Sequence, residues 1–314
     1  MQMLNNIEKV RDAYERRDLA ALDALVAPTH RVINPRKDFR SALMLSCHNL
    51  DHLLKIDSLD VDCIILNLED GVSKKDKPFG LVLCALFLAH HKQCNKKLVV
   101  RVNALLEGGY EEIAYLNQFM PDAIRVPKIR NKKEVESVYE LLDAKTELHL
   151  SIETNEAWNN LSQLKIDRKV TTFYLGILDL FADMRLPQAL ITIDNPAVHY
   201  ILSHFLITCK VIGVKPVSFV YQEHNNMEEF RAWLELEKKI GYDAKGCLSP
   251  SQAVLVNEMF QDSQKEIARA KNIIKLFELK RAEGITGFED DVYGFIDEPI
   301  YKDALALLEK ILSR

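Results

Sequence analysis

Acids and cations fall at the carboxyl-terminal ends of a series of apolar, branched-residue runs. Glu69-Asp70-Gly71 closes one run, Arg101-Val102-Asn103 ends the next, Pro127-Lys128 a third and Glu153-Thr154 a fourth. Asp179 follows a fifth, and Ser249-Pro250-Ser251-Gln252 ends the last. Two carboxylates from neighbouring strands, Glu153 and Asp179, would make a hard-oxygen site suited to Mg2+, with waters and substrate completing the octahedron. A guanidinium beside them, Arg101, suits a substrate carboxylate, because its planar fork donates two parallel hydrogen bonds. Each residue also has a structural use. Glu69, Asp70, Thr154 and Asp179 could cap the helices that follow, and Arg101 could pair with one of the acids. The joint pattern, groups of both signs converging from separate strands, points to a site.

Other chemistry is thinly represented. The chain has no G-x-x-x-x-G-K-[ST], G-x-G-x-x-G, H-E-x-x-H or G-x-S-x-G. His90-His91, late in an apolar helix and followed by Lys92, reads as a solvated helix end rather than a metal site. In Ser46-Cys47-His48 a nucleophilic pair is disfavoured, since adjacent residues rarely present both side chains to one point. The cysteines Cys47, Cys63, Cys84, Cys94, Cys209 and Cys247 show no C-x-x-C or zinc spacing. A reduced, cytoplasmic protein is the expectation.

The elements that must position these groups alternate. Branched, apolar runs cover 42–46, 61–68, 98–103, 123–127, 148–153, 171–177, 216–221 and 245–248. Several are apolar at nearly every position, as expected of parallel strands covered on both faces. Between them lie helical patterns, such as Val135, Val138, Leu141 and Leu142, and Met227, Phe230, Trp233, Leu234 and Ile240. Asp194-Asn195-Pro196 reads as a helix start. Eight strands alternating with helices predict an α/β fold, a TIM (β/α)8 barrel, with an open doubly wound sheet as the alternative. Residues 1–37 form an N-terminal helical extension, with an apolar stripe of Ile7, Val10, Leu19, Leu22 and Leu25. Residues 38–260 form the barrel, and 261–314 a C-terminal helical segment.

Composition narrows the partners. The 314 residues hold 41 Lys+Arg and 46 Asp+Glu, so the net charge is −5, which argues against general binding to a phosphate backbone. With 48% hydrophobic and 28% charged residues the chain is globular in composition. Its longest apolar runs are too short to span a bilayer. The opening MQMLNNIEKVRDAYERR has no apolar signal-peptide core. Neither nucleic acid nor membrane is an expected partner.

The strand ends resemble the citrate lyase β-subunit-like branch of the HpcH/HpaI aldolase superfamily. The resemblance rests on short motifs in family order. Arg40-Ser41-Ala42-Leu43 matches R-S-x-L, and Leu66-Asn67-Leu68-Glu69-Asp70-Gly71-Val72 is similar to L-D-L-E-D-A-V. Val100-Arg101-Val102-Asn103 and Ile152-Glu153-Thr154 match V-R-V-N and I-E-T unchanged, and Pro127-Lys128-Ile129-Arg130 is similar to P-K-V-E. The stretch Gly176 to Arg185 is similar to G-x-E-D-L-x-A-D-L-G, Cys247 to Gln252 to C-I-H-P-S-Q, and Ile296-Asp297-Glu298-Pro299 to I-D-x-P. The departures are Ser46-Cys47, Asn67, Arg130, Leu178, Ser218 and Ser249.

The resemblance implies a TIM barrel, often a homotrimer or a multiple of trimers, and Mg2+-dependent making or breaking of a carbon–carbon bond. It implies Glu153 and Asp179 as metal ligands and Arg101 as the group holding substrate. Glu69 and Asp70 would lie behind these groups or at the substrate edge, and Lys128 is a further candidate for substrate binding. Asp297 would be a catalytic acid on a lid that closes over a neighbouring subunit's barrel. The sequence around it fits a lid, with Gly284 and Gly287 loosening the chain and Pro299 stopping regular structure. Asp297 fits a helix cap equally. The leading expectation is a lyase acting on a small hydroxy- or keto-acid, or its acyl thioester on CoA or an acyl carrier, through an enolate. The alternatives are a thioester hydrolase on the same barrel, or a catalytically lapsed barrel serving as a subunit or regulatory partner.

Overall fold

The computed structural model describes residues 7–27, 31–34, 38–91 and 93–312. Lys92 and the parts of the terminal segments at 1–6, 28–30, 35–37 and 313–314 lie outside them. Two short helices come first, α1 (Ile7–Glu15) and α2 (Leu19–Asp23). Strand and helix then alternate. β1 (Ser41–Ser46) leads to α3 (Leu50–Lys55), β2 (Cys63–Asn67) to α4 (Lys77–His90), and β3 (Lys97–Arg101) to α5 (Gly109–Leu116). β4 (Ala123–Val126) leads to α6 (Lys132–Leu141), and β5 (Glu147–Ile152) to α7 (Asn155–Asn159). β6 (Val170–Leu175) leads to α8 (Ile177–Asp183) and α9 (Pro196–Ile212), β7 (Lys215–Val217) to α10 (Met227–Ile240), and β8 (Lys245–Cys247) to α11 (Pro250–Met259).

All eight strands run parallel, in the order β7-β6-β5-β4-β3-β2-β1-β8. The seam between β7 and β8 is closed by a parallel bridge from Ser218 to Lys245. There the Ser218 N–H donates to the Ala244 carbonyl at 3.0 Å, and the Gly246 N–H to the Ser218 carbonyl at 3.2 Å. A Cβ on Gly246 would lie 2.7 Å from Val220 Cγ2, so the seam closes around the missing side chain. Every residue of β2, β3 and β4 is buried, because helices cover one face and the barrel interior the other. Ile65, Val99, Tyr174 and Val217 meet inside. The sixth apolar run extends to 177, but β6 ends at Leu175, and Ile177 opens α8. A buried first helical turn and a strand end look alike in hydrophobicity alone.

The amino-terminal helices share a compact unit with the barrel. Val10, Ala13 and Leu22 are buried, while Leu19 and Leu25 are half-buried. Asp18 caps α2 by accepting the Ala21 N–H at 2.9 Å. Arg17 reaches Asp76 at 2.6 Å and lies over the Phe79 ring, and the Tyr14 hydroxyl donates to the His48 carbonyl at 3.0 Å.

A second compact unit takes in Asp38 and the chain from Phe260 onward. A capping box from Ser263 and Glu266 starts α12 (Gln264–Ala282). An antiparallel hairpin of β9 (Gly287–Asp290) and β10 (Gly294–Asp297) then precedes α13 (Glu298–Leu312). Ile273, Phe277, Ile296 and Ala304 form its core. Among the described residues no helix is long and apolar enough to cross a membrane.

Candidate active site

The carboxyl ends of β2 to β6 deliver their polar residues to one cavity of about 450 Å3. Asp70, Arg101, Glu153 and Asp179 line it. Glu69 and Lys128 are not among the lining residues but contact them. Arg101 Nη2 lies 2.8 Å from Glu69 Oε2, 3.6 Å from Asp70 Oδ2 and 3.9 Å from Glu153 Oε2. Lys128 Nζ lies 2.9 Å from Glu69 Oε1. Glu69 is therefore a strut that fixes Arg101, not a helix cap. Burial opposes its ionisation, but the Arg101 guanidinium, with hydrogen bonds from Asp70 and Lys128, holds it down at about 2. Burial and the neighbouring Glu69 push Asp70 the other way, upward.

Backbone geometry places the remaining groups. Lys128 has φ +53°, a left-handed conformation unusual outside glycine, and it turns its N–H onto Glu153 Oε1 at 2.8 Å. Glu153 is only 3% exposed. Burial raises its proton affinity, against the pull of Arg101 and Arg125, and the charge of Asp179 raises it further. Gly176 packs on it so closely that an added Cβ would fall 2.7 Å from Glu153 Oε2. Asp179 is exposed in the first turn of α8, and among the described residues no hydrogen bond engages its carboxylate. Thr154 is a plain helix cap, accepting the Ala157 N–H at 3.1 Å.

Two interacting carboxylates, one buried, the other unbonded, and both on one cavity, fit a small hard cation. Oxygen donors of this kind suit Mg2+, which takes one or two carboxylates and keeps waters or substrate oxygens in its other positions.

Sequence reasoning missed Arg125. It lies beside Arg101 in the strand ladder and lines the same cavity. Its Nε donates to Ser151 Oγ at 2.9 Å, and its guanidinium stacks over Tyr174 at 4.0 Å. Burial, with the charge of Arg101, pulls its pKa down to about 10. Among the described residues no acceptor engages the buried donors Arg101 Nε and Arg125 Nη1. The signal was available: a charge in the middle of an otherwise apolar, fully covered strand can only face the barrel interior.

Five of the six departures from the resemblance can be placed locally. Asn67 Oδ1 accepts the Glu69 N–H at 3.3 Å, bracing the turn with a neutral group. Leu178 presents carbon to the cavity. Ser249 caps α11 through the Gln252 N–H at 3.2 Å. The Arg130 N–H donates to Glu134 at 2.8 Å. The Ser218 hydroxyl donates to Glu237 at 2.6 Å, in a buried trio completed by Lys245. Asp297 lies in the second unit, where its Oδ1 accepts the Ile300 N–H at 3.2 Å and caps α13.

Comparisons with known proteins agree with this architecture. A model of the HpcH/HpaI aldolase/citrate lyase family matches residues 40–250. The chain is 27% identical to a (3S)-malyl-CoA thioesterase of Cereibacter sphaeroides, over 78% of this chain and 85% of that protein. It is 26% identical to the citrate lyase subunit beta of Haemophilus influenzae, over 80% and 89%. The fold is shared with the protein CitE of Mycobacterium tuberculosis, solved with magnesium, acetoacetate and coenzyme A. That structure has a TM-score of 0.68 and 19% identity, and the match covers 88% of this chain and 98% of that one.

Proposed function

This chain belongs to the HpcH/HpaI aldolase/citrate lyase family, and from that premise we propose that it is a Mg2+-dependent carbon–carbon lyase. Its substrate is a small hydroxy- or keto-acid, or the acyl thioester of one. The observation that carries the reading is the convergence of Arg101, Glu153 and Asp179 on one cavity. Mg2+ between Glu153 and Asp179 would act as a Lewis acid toward a substrate oxygen. The chain supplies the rest. Cleavage of the carbon–carbon bond leaves its electron pair on one fragment, and negative charge develops on the adjoining carbonyl oxygen. Arg101, held rigid by Glu69, meets that charge with no reorganisation. Arg101 and Arg125 both line the cavity, where their guanidinium groups offer donors to substrate carboxylate oxygens. Glu69 and Lys128 keep the clamp aimed.

The substrate hydroxyl loses its proton as its carbon becomes the carbonyl of one fragment, and the enolate carbon of the other gains one, so a carboxylate that accepts the first and returns it balances the step. We assign that role to Asp297 of a neighbouring copy in a homo-oligomer, a trimer on the family's pattern, with α12 to α13 as the lid. A cytoplasmic setting suits the six buried, free thiols.

The test is turnover of (3S)-malyl-CoA with Mg2+, with keto-acid and free thiol followed separately. Keto-acid release without thiol release supports the lyase. Thiol release with the acid skeleton intact supports a thioesterase, the reading that the Cereibacter relative favours. If neither forms, and oxaloacetate, pyruvate and glyoxylate all fail to bind with Mg2+ in calorimetry, the barrel is a non-catalytic subunit. For the shared site, Asp297→Asn and Arg101→Ala should each be inactive alone, and mixed oligomers should recover activity. Mixed oligomers without activity would exclude it.

A further inference from the structure

Away from the mouth, at the amino-terminal ends of β2 and β3, three side chains from separate loops converge. Asp57 lies in the turn after α3, His91 is the C-cap of α4, and Cys94 stands three residues before β3. One ligand atom from each, Asp57 carboxylate oxygen, imidazole nitrogen and Sγ, lies within 4.8 Å of the other two. His91 is only 7% exposed, contrary to the solvated helix end that its sequence neighbours suggest. Its ring is fixed by stacking on Phe87, with centroids 4.9 Å apart. Among the described residues no hydrogen bond engages its buried Nε2, although Asp57 Oδ1 is 3.4 Å away. A buried imidazole nitrogen this close to a carboxylate and a thiol, yet hydrogen-bonded to neither, is arranged as a metal ligand is.

We propose that Asp57, His91 and Cys94 form a Zn2+ site that staples the loops entering β2 and β3. The donor set is one thiolate, one imidazole and one carboxylate, which Zn2+ accepts tetrahedrally, with water in the fourth position. Binding forms three bonds and releases the Cys94 thiol proton to solvent; no electron is transferred. Asp57 is the exposed member, so the ion has a way in. The carbonyl end of α4 adds partial negative charge. Among the described residues the neighbouring cations are engaged elsewhere: Lys96 Nζ donates to the Asp57 carbonyl and Asn95 Oδ1, and Arg31 Nη2 donates to both Asp122 oxygens at 2.8 Å. The site shares no residue with the barrel mouth.

The experiment is a Co2+ titration of the full-length protein, stripped with chelator and held in excess Mg2+ so that the mouth carboxylates do not compete. One equivalent should produce a near-ultraviolet thiolate-to-cobalt band with visible bands of tetrahedral intensity, and one equivalent of Zn2+ should bleach both. Cys94→Ala should abolish the thiolate band. Asp57→Asn should weaken Co2+ at least tenfold, and Glu153→Gln should leave the titration unchanged. Zn2+ should raise Tm of the wild type and not of Cys94→Ala. A wild-type titration with no thiolate band at one equivalent overturns the proposal, whatever the variants do. So does a band that survives Cys94→Ala, which would place the metal on another cysteine.

Discussion

Arg101→Ala separates the electrostatic reasoning from simple loss of a contact. Arg101 serves Glu69 at 2.8 Å and faces Glu153 at 3.9 Å, and both carboxylates are only 3% exposed. Glu69 is held at about 2 against an ordinary 4.5. That difference is a factor of roughly 300 in proton affinity, or about 3 kcal/mol of stability at neutral pH. Lys128 stays 2.9 Å from Glu69 after the substitution, so the expected loss is below that ceiling, about 2 kcal/mol. The sign is fixed by linkage. A carboxylate with a depressed pKa contributes stability that is present above its unfolded value and is lost as pH falls toward its folded value. The gap between wild type and Arg101→Ala should therefore be widest near pH 7 and shrink as pH falls below 4.5 toward 2. Urea denaturation at a series of pH values measures it. Calorimetry with Mg2+ and oxaloacetate should show binding lost in Arg101→Ala and barely restored in Arg101→Lys, because an ammonium cannot reproduce the bidentate fork. A stability gap that does not change with pH, or unaltered keto-acid affinity in the alanine variant, would refute the role assigned to Arg101.

Other outcomes follow from the same geometry. Gly176→Ala removes no functional group, yet its Cβ would sit 2.7 Å from Glu153 Oε2; Mg2+ affinity should fall at least tenfold by calorimetry while circular dichroism is unchanged. Glu237→Ala should strand the fully buried Lys245, whose Nζ lies 2.5 Å from Glu237 Oε1, and lower stability by about 3–5 kcal/mol in denaturant unfolding. Leu22→Ala, at a fully buried position of α2, should destabilise by about 2–5 kcal/mol and speed proteolysis of the amino-terminal segment.

The alternation of strand and helix was legible in the chain because it is a local property. Strands covered on both faces must be apolar at successive positions, so the eight runs announce themselves wherever they pair. The residues at their ends were legible for a related reason: a parallel barrel gathers its strand ends at one mouth, so Arg101, Glu153 and Asp179 could be placed together from order alone. The resemblance added chemical roles to positions that the pattern had already singled out.

What tertiary structure decided were partnerships between residues far apart in sequence. Glu69 is an acid before a helix in the chain, but the barrel brings Arg101 and Lys128 onto its two oxygens, which makes it a strut. Leu175 and Gly176 read as one continuous run with Ile177, and only the approach of Glu153 shows why a side chain is forbidden at the middle position. His91 follows a helix with no polar face, so its own neighbours could not say which way the ring turns; packing on Phe87 turns it inward, toward Asp57 and Cys94. Ser218, Glu237 and Lys245 become a buried trio only when β7, α10 and β8 close the seam. Periodicity fixes which face of an element is buried, because it depends on the geometry of one helix or strand. Which charge meets which depends on distances set by closure of the whole barrel, and no local pattern encodes them.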